Sequence, residues 1–443
     1  MEVIIMAAQL ILALSILVGL HEGGHLLAAK AFGMRVEKFS IGFPPKIWGF
    51  QYGETEYSIG AIPLGGFVKI TGMVDESLDT KMLSEEPEPY EFRAKPAWQR
   101  LIVMLGGIIV NVITGMVVFI ALTFIVGETY ISKEEFNKDG IVAYSLGEEL
   151  GFKTGDKILE VSGKDFERFS EAISPDLLLS DNGSYTIERN GERITLEIPR
   201  KFLNEYTDRR NEFIDYRTRF KVGEVSKEEK YTAAQIGLKK GDFVRSINNK
   251  EITFFDEYGA LISQFKGKEV SLGIERDGKR MTLSANINKD AILGFNPVPL
   301  IERSHQDFGF GESLSRGSGR AFEVVWTNIK AFKKIFTGDV SASKSLSGPI
   351  GIARIFGSTF SWAKFWSITG LLSMVLAFMN LLPIPALDGG HVVFLTYEIV
   401  SGKKPSDKFL ENAQKVGMVL LLGLMVFAFG NDIYKEIVNY LAG

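Results

Sequence analysis

The sequence predicts a polytopic α-helical membrane protein with four transmembrane helices, a membrane-associated β-hairpin insertion and two small tandem α+β domains. Three observations carry this expectation. Four runs, Val3 to Leu20, Leu101 to Gly127, Phe365 to Leu387 and Val416 to Asn431, are free of charge for roughly 18, 27, 23 and 16 residues, against about 20 needed to cross a bilayer as a helix. A stretch of alternating apolar and polar residues separates the first two runs, and the long segment between the second and third holds an internal repeat. The averages hide this segregation. Of 443 residues, 46% are hydrophobic and 23% charged, which excludes a disordered chain. Fifty basic residues against 54 acidic ones leave no excess of positive charge with which to displace phosphate counterions, so no nucleic-acid partner is expected. Without cysteine, the fold rests on neither disulfides nor thiolate metal sites.

The first run, placed in a segment 1–34, has Glu2 where a cleaved signal peptide would carry a basic start, and no small-residue cleavage site follows it. The next segment, 35–95, alternates as β-structure does, through Phe39-Ser40-Ile41-Gly42-Phe43-Pro44-Pro45 and Tyr57 to Ile70, with Gly and Pro at the bends. It is too apolar for an ordinary loop. Non-helical backbone is tolerated at membrane depth only where protein or a water-filled cavity satisfies it, so the insertion lies either beside a polar cavity or as a β-layer on the cytoplasmic surface. The second span is placed at 96–127, a third transmembrane segment at 361–391 and a fourth at 415–440. Lys30 and Arg35 follow the first run, Arg93, Lys95 and Arg100 precede the second, and Lys403, Lys404, Lys408 and Lys415 lie between the third and fourth. Positive residues beside spans are retained in the cytoplasm, so both of these connections read as cytoplasmic and the segment from about 128 to 364 as lying outside.

In that outer segment Gly151-Phe152-Lys153-Thr154-Gly155-Asp156-Lys157-Ile158 recurs as Gly237-Leu238-Lys239-Lys240-Gly241-Asp242-Phe243-Val244, and Ile187-Glu188-Arg189-Asn190-Gly191 as Ile274-Glu275-Arg276-Asp277-Gly278. Asn-Gly and Asp-Gly between alternating strands signal tight hairpins, so each copy is a small domain, near 128–202 and 215–290. The pattern resembles the PDZ domain in its permuted bacterial form, which implies capture of extended peptide at a sheet edge. A plain spacer is the alternative. Beyond the repeat, in a region 307–345, Phe322, Val325, Trp326, Ile329, Phe332 and Phe336 share one helical face, the pattern of an interfacial helix or of a helix capping the second copy.

The chemistry concentrates in His21-Glu22-Gly23-Gly24-His25. Histidines four apart stand on one helix face and can reach one tetrahedral zinc, while Glu22 can address a water beside it. Ionisable residues inside an apolar span are costly unless they serve a function. Zinc with two histidines needs a third protein ligand. His305 lies in a polar outer loop; the stronger candidates are Asp388 and His391, in Asn380-Leu381-Leu382-Pro383-Ile384-Pro385-Ala386-Leu387-Asp388-Gly389-Gly390-His391. Two prolines break the helix there and two glycines permit an irregular turn. Spacing alone does not choose between Asp388 and His391.

Taken together, His-Glu-x-x-His in the first span, Asn-x-x-Pro-x-Pro-x-Leu-Asp-Gly in the third, Pro63-Leu64-Gly65-Gly66 in the β-rich insertion and the two PDZ-like copies resemble the site-2 proteases, in the bacterial RseP-like group of intramembrane zinc metalloproteases. The resemblance covers essentially the whole chain. It implies Zn2+ held by His21, His25 and Asp388, Glu22 as general base, and Asn380 holding the substrate backbone, with Ile59, Gly60, Pro63, Gly65 and Gly66 of the hairpin as further substrate contacts. Gly23 departs from the bulkier residue common there. The implied activity is that of a zinc metalloendopeptidase cutting within the membrane segment of a single-span protein after a first cut outside the membrane, such as an anti-sigma factor or a signal-peptide remnant. The implied location is the bacterial inner membrane, with the active site near the cytoplasmic side and the PDZ-like domains on the periplasmic side. A membrane hydrolase of lipid or prenyl-peptide substrates would share the metal site, and a non-catalytic scaffold would use the repeats alone. Peptide-binding modules argue against the first and the intact Glu22 against the second.

Overall fold

The computed structural model describes residues 2–73, 86–341, 343 and 348–442. Residues 74–85 of the expected insertion, and 342 and 344–345 of the expected amphipathic region, lie outside the described residues. The chain forms two compact units, Met1–Glu128 with Asp307–Gly443, and Thr129–Gln306.

Among the described residues of the first unit, four helices are long and apolar enough to cross a membrane: Glu2–Ala31 (α1), Ala97–Val126 (α2), Trp362–Leu381 and Lys408–Lys435. Backbones of α1 and α2 touch. A Cβ on Gly24 would lie 2.3 Å from the carbonyl oxygen of Gly106, the close approach by which small residues let apolar helices associate. The third apolar run does not continue as one helix. Pro383 and Pro385 cannot supply the donors a helix needs, so the helix stops at Leu381 and a new one, Asp388–Ser401, begins after an irregular turn. Gly389 and Gly390 let that helix back onto the turn, because a Cβ at either would fall 2.2 Å from the Leu382 oxygen or 2.7 Å from the Ile384 oxygen. Arg100 of α2 and Glu398, both nearly buried, form an ion pair at 2.5 Å that ties the far end of the new helix to α2.

The insertion is a long hairpin of Val36–Tyr52 (β1) and Thr55–Ile70 (β2). Its register is unusual. Ile41 opposes both Ile59 and Gly66, and Phe39 both Tyr57 and Val68, whereas Trp48 opposes Ile59 and Phe50 opposes Tyr57. Each long strand bends, so four segments lie side by side in the order 46–52, 55–60, 36–42, 66–70. Gly42, at φ +92°, and Gly60 make the bend possible, since a Cβ on Gly60 would sit 2.3 Å from the Phe43 oxygen. Segment 66–70 pairs with β1 on one side only among the described strands.

The helix Phe310–Phe336 covers most of the expected amphipathic region. Its face divides in a way periodicity does not reveal. Ala321 and Val325 pack with Phe119 of α2 and Met374 of the third span, and Phe332 stacks edge-on against Phe378, while Phe322, Trp326, Ile329 and Phe336 are exposed.

The second unit holds two lobes with separate apolar cores, one around Phe152, Tyr185 and Phe213 and the other around Val222, Leu272 and Ile274. The repeat has a shared purpose. Arg189 forks onto Asp156 with two bonds of 2.7 Å and donates to the Gly151 carbonyl; Arg276 does the same to Asp242 and Gly237. Each aspartate is 1% exposed, and losing its arginine would strand a buried charge at a cost of about 3–5 kcal/mol. Asn190-Gly191 and Asp277-Gly278 all have positive φ, as the expected tight turns require. The first core reaches Phe213 and Ile214, and the second takes in Leu293 and Phe295, beyond the expected limits at 202 and 290. Each lobe is closed by a strand that follows its hairpin: Ile214–Tyr216 pairs with Ile141–Ala143, and Phe295–Pro299 with Phe220–Val225. In the latter pair the Leu300 amide donates to Arg219, so alternation turns Pro297 and Pro299 away from the partner strand. The outward edge of that strand thus lacks two N–H donors.

Candidate zinc site

His21, Glu22 and His25 occupy the C-terminal half of α1. The two imidazoles meet edge to face with centroids 4.8 Å apart. Their Nε2 atoms are 3.3 Å apart, and Asp388 Oδ2 lies 3.2 Å from that of His21 and 3.4 Å from that of His25. This is the one group of three potential ligand donors found among the described residues. His391, on the next turn of the helix that Asp388 begins, is not part of it.

The triangle fits a metal. Zinc–nitrogen and zinc–oxygen distances near 2.05 Å at tetrahedral angles demand donor separations of about 3.3 Å. Asp388 Oδ2 is buried yet makes no hydrogen bond of acceptable geometry, an expensive condition for a carboxylate oxygen unless something else binds it. His25 Nδ1 faces the Val103 carbonyl at 2.8 Å. A carbonyl only accepts, so Nδ1 carries the hydrogen and the Nε2 lone pair is directed into the triangle.

Glu22 is held beside this cluster by the hairpin. Gly66 leaves it room: a Cβ there would lie 3.2 Å from Glu22 Cγ and 2.6 Å from Val18 Cγ1. Asn380 Nδ2 stands 3.3 Å from His21 Nε2, so this candidate adjoins the donors directly. The other hairpin candidates divide. Gly60 is buried where the segments cross, Gly65 packs on the Phe43 ring, and Ile59 is exposed; Pro63 is half-buried.

Two residues of α2 at the site escaped the sequence reading. A Cβ on Gly107 would fall 2.5 Å from both His21 Cε1 and His25 Nε2, so an alanine methyl there would occupy space the donors need. Asn111 lies 3.2 Å from His21 Nδ1. The available signal was a lone asparagine four residues after a Gly-Gly pair, the one amide side chain in an uncharged run.

Two histidines and a carboxylate converging between apolar helices, with a glutamate alongside, define a membrane-embedded metal-dependent hydrolase. Comparison with known proteins agrees. The profile of peptidase family M50 matches residues 9–424. A Xylella fastidiosa protein whose name calls it a zinc metalloprotease is 30% identical over 452 residues, covering 96% of this chain and 97% of the relative. The regulator of sigma E protease of Haemophilus influenzae is 29% identical over 96% of this chain and 98% of its own length. The regulator of sigma-E protease RseP of Salmonella typhimurium is 28% identical over 96% and 97%. The chain belongs to peptidase family M50, the site-2 proteases, and is an intramembrane zinc metalloprotease.

Proposed function

We propose that this chain hydrolyses a peptide bond within the membrane segment of a single-span protein, using a zinc ion held by His21, His25 and Asp388 and Glu22 as general base. The observation that carries the reading is the donor triangle, whose edges match a tetrahedral zinc and whose position is between spans. Bound there, zinc supplies a Lewis acid that polarises the scissile carbonyl and brings the pKa of a water toward neutrality. Glu22 accepts the proton of the attacking water and passes it to the leaving nitrogen. Asn380, adjoining His21, is placed to hold the substrate backbone.

A helical substrate hides its carbonyls in internal hydrogen bonds and must be unwound before attack. Segment 66–70 offers an edge next to Glu22 that is unpaired among the described strands, to which an opened substrate strand adds through main-chain bonds. The names of two relatives, regulators of sigma E, fit an anti-sigma factor as substrate class; in this reading the spans lie in the inner membrane, with the segment 129–306 outside the cytoplasm by the lysine and arginine asymmetry.

The two lobes, read as PDZ-like domains, restrict access in this account, so that only substrates already trimmed of a bulky outer domain reach the zinc. The rival is capture of a newly exposed carboxyl terminus by a lobe. Pro297 and Pro299 weaken that rival in the second lobe, because an incoming strand would meet two missing donors. The test compares one membrane segment bearing a large outer domain, a short tail, or a short tail with altered terminal residues, in the parent chain and after removal of the whole unit Thr129–Gln306. Gating predicts that the parent cuts both short-tailed substrates and spares the large one, and that deletion admits the large one. A deletion variant that still cuts the short tail but not the large substrate rules out size exclusion by these lobes.

A further inference from the structure

Asn111 lies midway along α2, 1% exposed, in a run whose other polar side chains are Thr114 and Thr123. Its side-chain nitrogen is 3.2 Å from His21 Nδ1, and its Oδ1 is buried and accepts no hydrogen bond. Ser373 Oγ donates to the Asn111 main-chain carbonyl at 2.7 Å, which fastens this turn of α2 to the third span. His21 faces the donor triangle through Nε2. A neutral imidazole has one N–H and one lone pair, so an Nε2 that ligates a metal leaves the hydrogen on Nδ1. That hydrogen needs an acceptor, and the polar side chain beside it is Asn111. The two ends of an amide exchange by a half-turn. With its oxygen toward His21, the idle acceptor takes the Nδ1 hydrogen. His25 is already oriented in this way by the Val103 carbonyl, also on α2.

We propose that Asn111 is a positioning residue for the metal: its amide oxygen accepts the Nδ1 hydrogen of His21 and so fixes the tautomer and ring angle that aim Nε2 at the zinc. The proposal rests on the reading of His21, His25 and Asp388 as zinc ligands. Both histidines are then oriented from one helix, by a main-chain carbonyl at 103 and a side-chain amide two turns on. Partners of this kind typically contribute 10- to 100-fold in metal affinity.

The test measures zinc affinity of the full chain in detergent by competition with a chromophoric chelator, for the parent, Asn111→Leu and Asn111→Asp. Leucine keeps the volume and removes the acceptor; aspartate keeps an acceptor. Thermal unfolding of the metal-free proteins establishes equal folding, and Asn111→Ala replaces the leucine variant if that one does not accumulate. The expected result is a loss of about 10- to 100-fold for leucine or alanine, and parent-like affinity for aspartate. Parent-like affinity in the leucine variant overturns the proposal, as does an aspartate variant as weak as leucine, which would make the amide a donor. A His21→Ala chain that retains full zinc affinity would instead overturn the ligand reading on which the proposal stands.

Discussion

Replacing Glu22 by glutamine is expected to lower the rate of peptide cleavage by about 10²- to 10⁴-fold, the range removed when a positioned acid–base group is lost, while zinc content stays near that of the parent. Glutamine keeps the shape of the side chain, but it cannot take a proton from water. Glu22 is not one of the three donors in the triangle, so the metal does not depend on its charge as a ligand. The measurement is turnover of a single-span substrate by purified protein, paired with metal analysis of the same sample. Appreciable turnover by a zinc-loaded variant would remove Glu22 from its assigned role. Loss of zinc along with activity would make it a ligand instead of a base.

Changing Asp388 to alanine is expected to weaken zinc binding by more than the 10- to 100-fold typical of a supporting partner, and changing His391 to alanine by no more than that. Asp388 supplies the third corner of the triangle, 3.2 and 3.4 Å from the two histidine nitrogens. His391 lies outside the triangle on the following turn. Metal analysis after dialysis against a graded chelator series separates the two. The reverse order would reassign the third ligand to His391.

The parts of this site that the sequence reveals are those where one local rule acts alone. Four residues make just over one helical turn, so His21 and His25 are readable as a pair from spacing. Two prolines mark the broken backbone that carries Asp388, but spacing leaves His391 equally eligible, because the choice depends on how the new helix backs onto its own turn through Gly389 and Gly390. Alternation reveals strands between the first two spans; it does not reveal that both strands bend and pair in four segments, since the bend depends on the contact of Gly42 with Gly60 across the sheet. Gly107 and Asn111 are hidden for the opposite reason. An apolar run is read by its average, and two small or polar residues within it acquire meaning only when α2 is laid on α1. The strands that close the two lobes follow each hairpin in the chain but pair with strands far before it, so the repeat alone ends each copy too early.

The central claim, that zinc at His21, His25 and Asp388 hydrolyses a bond inside a membrane segment, is tested most directly by locating the cut. A purified chain is reconstituted with a short-tailed single-span substrate, and the new ends of both products are determined by mass spectrometry before metal removal, after it, and after zinc is restored. The account predicts ends that fall within the apolar segment of the substrate, cleavage that stops when the metal is removed, and the same ends when zinc is returned. Cuts confined to the polar flanks, or cleavage that persists without metal, would contradict it.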